Sequence, residues 1–180
     1  MQTAISDLEV ISEKRKSSLY YFKYPVEDSD SEIVVSTTRP ETVFGDVAII
    51  VNPKDEKNIH LVGKKILSPF NGKSLEIIAD DYADMSMGSG AVKITPAHDF
   101  NDYEIGKKYN LPMINILNDN GTLNSFVPER FQKLTVENAR EEVLLFMKEK
   151  EIFVKEEKIS NNVPIGDRSG EIIEPLLKNQ

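Results

Sequence analysis

The sequence has no cysteine and only two histidines, His60 and His98. The missing thiol excludes a disulfide, a thiolate nucleophile and a cysteine zinc site, and two histidines far apart argue against a histidine-based metal site. No run approaches eighteen apolar residues and the start MQTAISDLEV lacks the pattern of a signal peptide, so a soluble, cytoplasmic protein with no membrane contact is expected. Positive charge is scarce: 22 Lys and Arg face 30 Asp and Glu, a net charge of -8. That balance argues against broad phosphate contact, so a nucleic-acid partner must be gripped locally or by another part of a larger molecule. The 180 residues, 39% apolar and 29% charged, suit one globular domain with a sizeable core.

What is present concentrates in residues 88–106, GSGAVKITPAHDFNDYEIG. Residues 91–95 alternate as a half-buried strand does, with Val92 and Ile94 on one face and Ala91, Lys93 and Thr95 on the other. Pro96 suits the first turn of a following helix, and Asp99 is a candidate N-cap with Asp102 three residues on. A spacing of three places both carboxylates on one helix face near its positive end. A strand end bearing Lys93 and Thr95 thus meets a helix start bearing two acids, a constellation suited to a small polar ligand with a positive group. For Asp99 alone, an N-cap and a solvated acid is an equally good account.

The rest of the chain reads as follows. Residues 8–11 and 19–24 suit two short strands joined by a charged link, residues 12–18, as an opening hairpin, with Lys14, Arg15 and Lys16 solvated on the loop and the tyrosines packing in the strands. Residues 32–38 form a third strand that enters TTRPETVFGD, where Pro40 biases Arg39 away from helix and the turn presents Thr37, Thr38, Arg39 and Thr42. Residues 47–51 are a continuous apolar run, read as a buried strand. A short helix is expected near residues 54–58 and a tight hairpin around Asn71-Gly72, with His60 on the surface and Asp80, Asp81 and Asp84 solvated, since their spacing lacks a calcium-loop pattern. Residues 113–117 look strand-like. Thr135 caps a helix to about Lys150 whose Ala139, Val143, Phe146 and Met147 face the core, and residues 152–154 add a last strand. The fold class is mixed α/β: about eight short strands in a small, mostly antiparallel, barrel-like sheet with peripheral helices. Residues 1–159 form the domain core, and residues 160–180, with Gly166, Gly170 and Pro175, have the composition of a connector.

TTRPETVFGD at residues 37–46, the central stretch at 88–106, and the framing ends QTAISDLEV and GEIIEPLL together resemble the editing domain of class I aminoacyl-tRNA synthetases over nearly the whole chain. The leucyl branch shares the threonine-rich turn but does not usually carry the Lys93 and Thr95 pair, and the isoleucyl branch has glycine in place of Asp99, so the chain looks valyl. The signature sequences of a synthetase catalytic domain are absent, so the chain looks like an excised insertion domain that cannot aminoacylate alone. Relatives sometimes carry zinc cysteines in the tail; residues 160–170 have none, so no metal is expected.

The resemblance implies post-transfer editing, the hydrolysis of mischarged threonyl-tRNA(Val). Threonine and valine are nearly isosteric, and the valyl enzyme is itself the reference case for how weakly an apolar pocket rejects an added hydroxyl. A second site that hydrogen-bonds the hydroxyl can discriminate, because valine would leave its polar groups unpaired. Thr42, Lys93, Thr95 and Asp99 are the right types for this, Arg39 can steady the turn or the 3′ terminal adenosine, and Thr38 is a further substrate-binding candidate. By resemblance Asp102 anchors the α-ammonium, and Asp102, Lys93 and Thr95 are the catalytic candidates. A positioned water attacks directly, with Lys93 or the amides of residues 88–90 stabilising the oxyanion; His98, just before the helix, reads as structural rather than as a base. No cofactor is implied for editing, ATP being used only by the absent synthetase domain. The implied partners are the tRNA end and the rest of the synthetase, with the domain itself a monomer. A leucyl-type or free-standing deacylase, a non-catalytic tRNA-end binding module and a purely structural insertion are the alternatives.

Overall fold

A single long strand, β1 (Val10–Pro25), ties the two ends of the fold together. The computed structural model describes residues 10–166 and Ile172, so the framing ends, Gly170 and Pro175 lie outside the described residues, Val10 and Ile172 aside. β1 pairs antiparallel with β2 (Glu32–Thr37) through Tyr20 to Pro25, and with β7 (Phe153–Gly166) along its length, from Val10 opposite Gly166 to Phe22 opposite Phe153. The expected opening hairpin is therefore replaced by one continuous strand. Its middle carries polar residues on both faces, so no alternation marks it; the pairing with residues more than 130 positions away supplies the strand. β7 likewise runs from the expected residues 152–154 past position 160, so the last strand crosses the boundary drawn for the connector.

The second sheet has the order β4 (Lys65–Leu67), β5 (Ser74–Ala79), β3 (Ala48–Val51), β6 (Val92–Ile94). β3 is buried throughout and pairs parallel to β5 and antiparallel to β6, which explains its unbroken apolar run. The class is the expected mixed, mostly antiparallel α/β fold, but among the described residues the strands form two sheets and no closed barrel. Gly72 has a positive φ of 71° in the β4–β5 connection, which spans residues 68–73 and is longer than a tight hairpin. The expected helix near residues 54–58 is displaced to a short 3-10 turn at Ile59–Leu61, and residues 113–117 contribute an isolated bridge from Leu117 to Leu123 rather than a strand.

α2 (Val136–Glu149) begins as expected at Thr135, whose hydroxyl accepts from the Asn138 N–H, and buries Val136, Ala139, Val143 and Met147. It closes a core in which Phe44, Phe70, Phe131 and Phe146 stack edge to face or tilted. α1 (Phe100–Lys108) covers a smaller core of Val47, Ala48, Ile50, Ala83, Ile94 and Ile105. Because Lys93 pairs with Ile49, and Ile49 belongs to the larger core, β6 directs Lys93 toward the aromatic side and Ile94 toward α1.

The loop entering β6 is held close. Gly88 has φ +55°, and a Cβ there would lie 2.0 Å from the Ser36 Oγ. Gly88→Ala combines backbone strain with a side-chain collision and is expected to destabilise the chain by about 1–3 kcal/mol. A urea midpoint equal to that of the wild type would refute this packing of the loop against β2.

Candidate functional site

The end of β6, the 3-10 turn Pro40–Gly45 and the start of α1 meet around Lys93. Of the side chains the turn is expected to present, Thr37, Thr38 and Arg39 are half-buried ahead of it, whereas Thr42 is buried with the other five residues of Pro40–Gly45, because Val43 and Phe44 are drawn into the core and carry the polar positions inward with them. Thr42 and Asp46 thereby face Lys93. The Lys93 Nζ donates to the Thr42 Oγ1 at 2.9 Å, to the Thr95 Oγ1 at 2.8 Å and to the Asp46 Oδ1 at 2.6 Å. Three partners match three N–H donors, so Lys93 is fully engaged. Thr95 passes its own proton to the Asp46 Oδ1 at 2.8 Å, and Thr42 donates to the Arg39 carbonyl at 2.8 Å. The second Asp46 oxygen accepts the Tyr24 hydroxyl at 2.6 Å. Burial pushes the Asp46 carboxyl up, with Lys93, Tyr24 and Thr95 pulling against it, and the Tyr24 hydroxyl is raised well above its ordinary value by burial and by the Asp46 charge.

Asp102 stands beside this cluster in the first turn of α1. Its Oδ2 accepts the Thr95 N–H at 2.9 Å and its Oδ1 accepts the Tyr82 hydroxyl at 2.7 Å. Its carboxyl is pushed up to about 6, first by burial and then by the Asp99 charge, against the Thr95 and Tyr82 hydrogen bonds and Lys93. Asp99 is the N-cap: its Oδ1 accepts from the N–H groups of Asn101 and Asp102 at 2.9 and 3.0 Å. Pro96 lies before this cap and outside the helix. Arg39, half-buried, donates from Nη1 to the His98 carbonyl at 2.7 Å, and Thr38 is half-buried just before it. His98 is fully buried, and its Nε2 accepts the Ile116 N–H at 3.0 Å. That lone pair is taken, so the histidine pins the backbone at Ile116.

Two further expectations change. The N–H groups of Ser89 and Gly90, expected as oxyanion donors, go to the Ser36 Oγ at 3.3 Å and the Met87 carbonyl at 3.0 Å. Asp80, expected in solvent with Asp81 and Asp84, is buried and accepts from Lys108 at 2.6 Å, from the Tyr82 N–H at 2.8 Å and from the Tyr109 hydroxyl. Burial alone would raise its carboxyl, but Lys108, Tyr109 and the Tyr82 N–H together hold it well below the usual range. It clasps the end of α1 to the loop before β6. Among the described residues no group of three His, Asp or Glu side chains is placed to hold a metal ion, and no helix is long and apolar enough to cross a membrane. A cavity of about 650 Å³ opens between Tyr21, Val34, Met85, Ser89 and Lys155, away from the lysine and its carboxylates. The lining of that cavity carries a mixture of charges.

A family model described as the leucyl-tRNA synthetase editing domain matches residues 51–144, more than half of the chain and the whole of β6 and α1. The chain belongs to this family of synthetase editing domains. It is 53% identical over all 180 residues to a valine–tRNA ligase of Pelagibacter ubique and 52% identical over the same length to one of Francisella tularensis. It spans about a fifth of each, 21% and 20% of their lengths. A LeuRS–tRNA–LeuAMS ternary complex from Agrobacterium radiobacter shares the fold, with a TM-score of 0.61 at 20% identity over 83% of this chain and 20% of that one.

Of the residues expected in the editing site, Thr42, Lys93, Thr95 and Asp102 come together through hydrogen bonds, while Arg39, Thr38 and Asp99 lie less buried around them. The sequence reading missed Asp46, Tyr24, Tyr82 and Glu41. For Asp46 a signal was available: an acid wedged between the apolar runs of residues 43–44 and 47–51 is buried with them and needs a partner.

Proposed function

We propose that this editing domain hydrolyses the ester of threonyl-tRNA(Val), releasing threonine from the 3′ terminal adenosine. The observation that carries the proposal is the placement of Asp102. A buried carboxylate, with free lone pairs left after two hydrogen bonds, adjoins a cluster of hydroxyls and a lysine rather than an apolar pocket. The carboxylate suits the α-ammonium of an aminoacyl ester. Thr42 and Thr95 each accept from Lys93 and donate to a neighbouring oxygen, which leaves each hydroxyl one lone pair suited to accept from the threonyl hydroxyl, a hydrogen bond that valine cannot make. Asp99 keeps α1 aimed at the site through its cap, and Arg39 with Thr38 faces the terminal nucleotide. With no cysteine and no strained serine elbow, direct attack by a positioned water is the simplest route to hydrolysis. Lys93, all three donors engaged, then acts by fixing Thr42 and Thr95. The rest of a cytoplasmic synthetase holds the body of the tRNA, so the net charge of -8 is no obstacle, and neither metal nor ATP enters the step.

The test compares release of labelled amino acid from threonyl-tRNA(Val), valyl-tRNA(Val) and leucyl-tRNA(Leu), with this chain alone and within a full synthetase. Threonine is expected to be freed and valine retained. Preferential release from the leucyl ester would instead assign the leucyl-type specificity, and saturable binding with no release in either setting would leave a tRNA-end binding module.

A further inference from the structure

Asp46 is 1% exposed, and each of its oxygens has a fixed donor: Lys93 and Thr95 on Oδ1, Tyr24 on Oδ2. These donors come from β1 and from β6 with the residue that follows it, so the carboxylate is located independently of the turn that carries it. A buried ammonium must be paired, and the Lys93 Nζ has two carboxylates within electrostatic reach, Asp46 at 2.6 Å and Asp102, whose backbone donor Thr95 is two residues further along the chain. Asp102 can serve a substrate ammonium only if Lys93 does not occupy it. We infer that Asp46, held by Tyr24, is a positioning residue that takes up Lys93 and so reserves Asp102 for the positive group of the substrate. The pair also leaves the cluster without an uncompensated cation that would repel that group.

The catalytic consequence rests on the deacylase reading; the placement of Lys93 does not, and the test separates them. The charged and titratable groups facing Asp102 are Asp99 at its own helix start, Lys93 from β6 and Tyr82 from the preceding loop; Asp46 is faced by Lys93 from β6, by Thr95 just after it and by Tyr24 from β1. The Thr95 amide donates to Asp102, so its NMR chemical shift follows the ionisation of that carboxyl with no substrate present. In the wild type the midpoint is expected near 6. In Asp46→Asn, Lys93 turns to Asp102 and the midpoint falls by about one unit or more. In the double variant Asp46→Asn with Lys93→Met, which buries no net charge, it returns close to the wild-type value. An unmoved midpoint in Asp46→Asn, or a double variant as low as the single one, overturns the inference. Where Asp46→Asn does not fold, Tyr24→Phe carries the test: loosening Asp46 is expected to lower the midpoint part of the way, and no movement overturns the inference.

In the full synthetase, Asp46→Asn is expected to raise KM for the threonyl ester about tenfold, the factor that corresponds to a one-unit shift. A shifted Thr95 midpoint in a protein whose wild type hydrolyses neither ester would overturn the deacylase reading and support the placement of Lys93.

Discussion

Replacing Asp102 with asparagine is expected to abolish release of threonine while making the folded chain more stable at pH 8 by up to about 3 kcal/mol. The two effects have one origin. The carboxyl is raised from 3.8 to about 6, chiefly by burial and next by the Asp99 charge. A carboxyl raised on folding binds its proton more tightly in the native state than in the unfolded one. Its contribution therefore favours folding below about pH 4 and is withdrawn as the pH rises through about 6. Asparagine keeps the shape and one acceptor, has no proton to lose, and cannot balance an ammonium. The wild type is thus expected to lose unfolding free energy between pH 4 and 7 along a slope that Asp102→Asn flattens, and its hydrolysis is expected to fall with an acid limb near pH 6. Thermal unfolding across that range checks the first, and the pH profile of threonine release checks the second. Parallel stability curves for the two proteins would show that Asp102 is ordinarily solvated and unsuited to its assigned role.

Local signals in the sequence carried far. The Thr135 cap and the spacing of Ala139, Val143 and Met147 specify α2 within a few neighbouring residues, and Asp99 specifies the start of α1 in the same way. The apolar run of β3 needs no partner to be recognised. What depends on distant pairing was hidden. Residues 12–18 alternate no apolar side chains, and β7 appears only because β1 lies beside it. The acids behave likewise: Asp46 is defined by Tyr24 and Lys93, and Asp80 by Lys108 and Tyr109, all more than twenty positions away. The residues proposed for editing were legible as chemical types in two motifs. Their division of labour was not, because whether Lys93 meets a substrate or a neighbour is decided by a carboxylate in the other motif.

Arg140→Ala is the substitution outside the site expected to disturb it most. Glu41, in the 3-10 turn, is 2% exposed and receives the Arg140 Nε on one oxygen and Nη2 on the other, both at 3.0 Å. This fork ties α2 to the turn that presents Thr42 and Asp46. Arg39 approaches the same carboxylate from Nε at 3.8 Å. Truncating Arg140 leaves a desolvated charge whose penalty is about 3–5 kcal/mol, toward the lower end because the arginine itself is partly open to solvent. Lysine at this position restores the charge but not the fork, and is expected to recover about half of the loss. Glu41→Gln combined with Arg140→Met removes both charges and is expected to be nearly as stable as the wild type, since a buried pair contributes little beyond an apolar replacement. The double variant decides what the pair is for. If α2 acts on the site by gripping Glu41, a chain of native stability without the grip will hold Thr42 and Asp46 less firmly, and KM for the threonyl ester will rise while urea unfolding stays unchanged. If KM and stability move only together, the pair fastens the helix and leaves the geometry around Lys93 to β6 and Tyr24 alone.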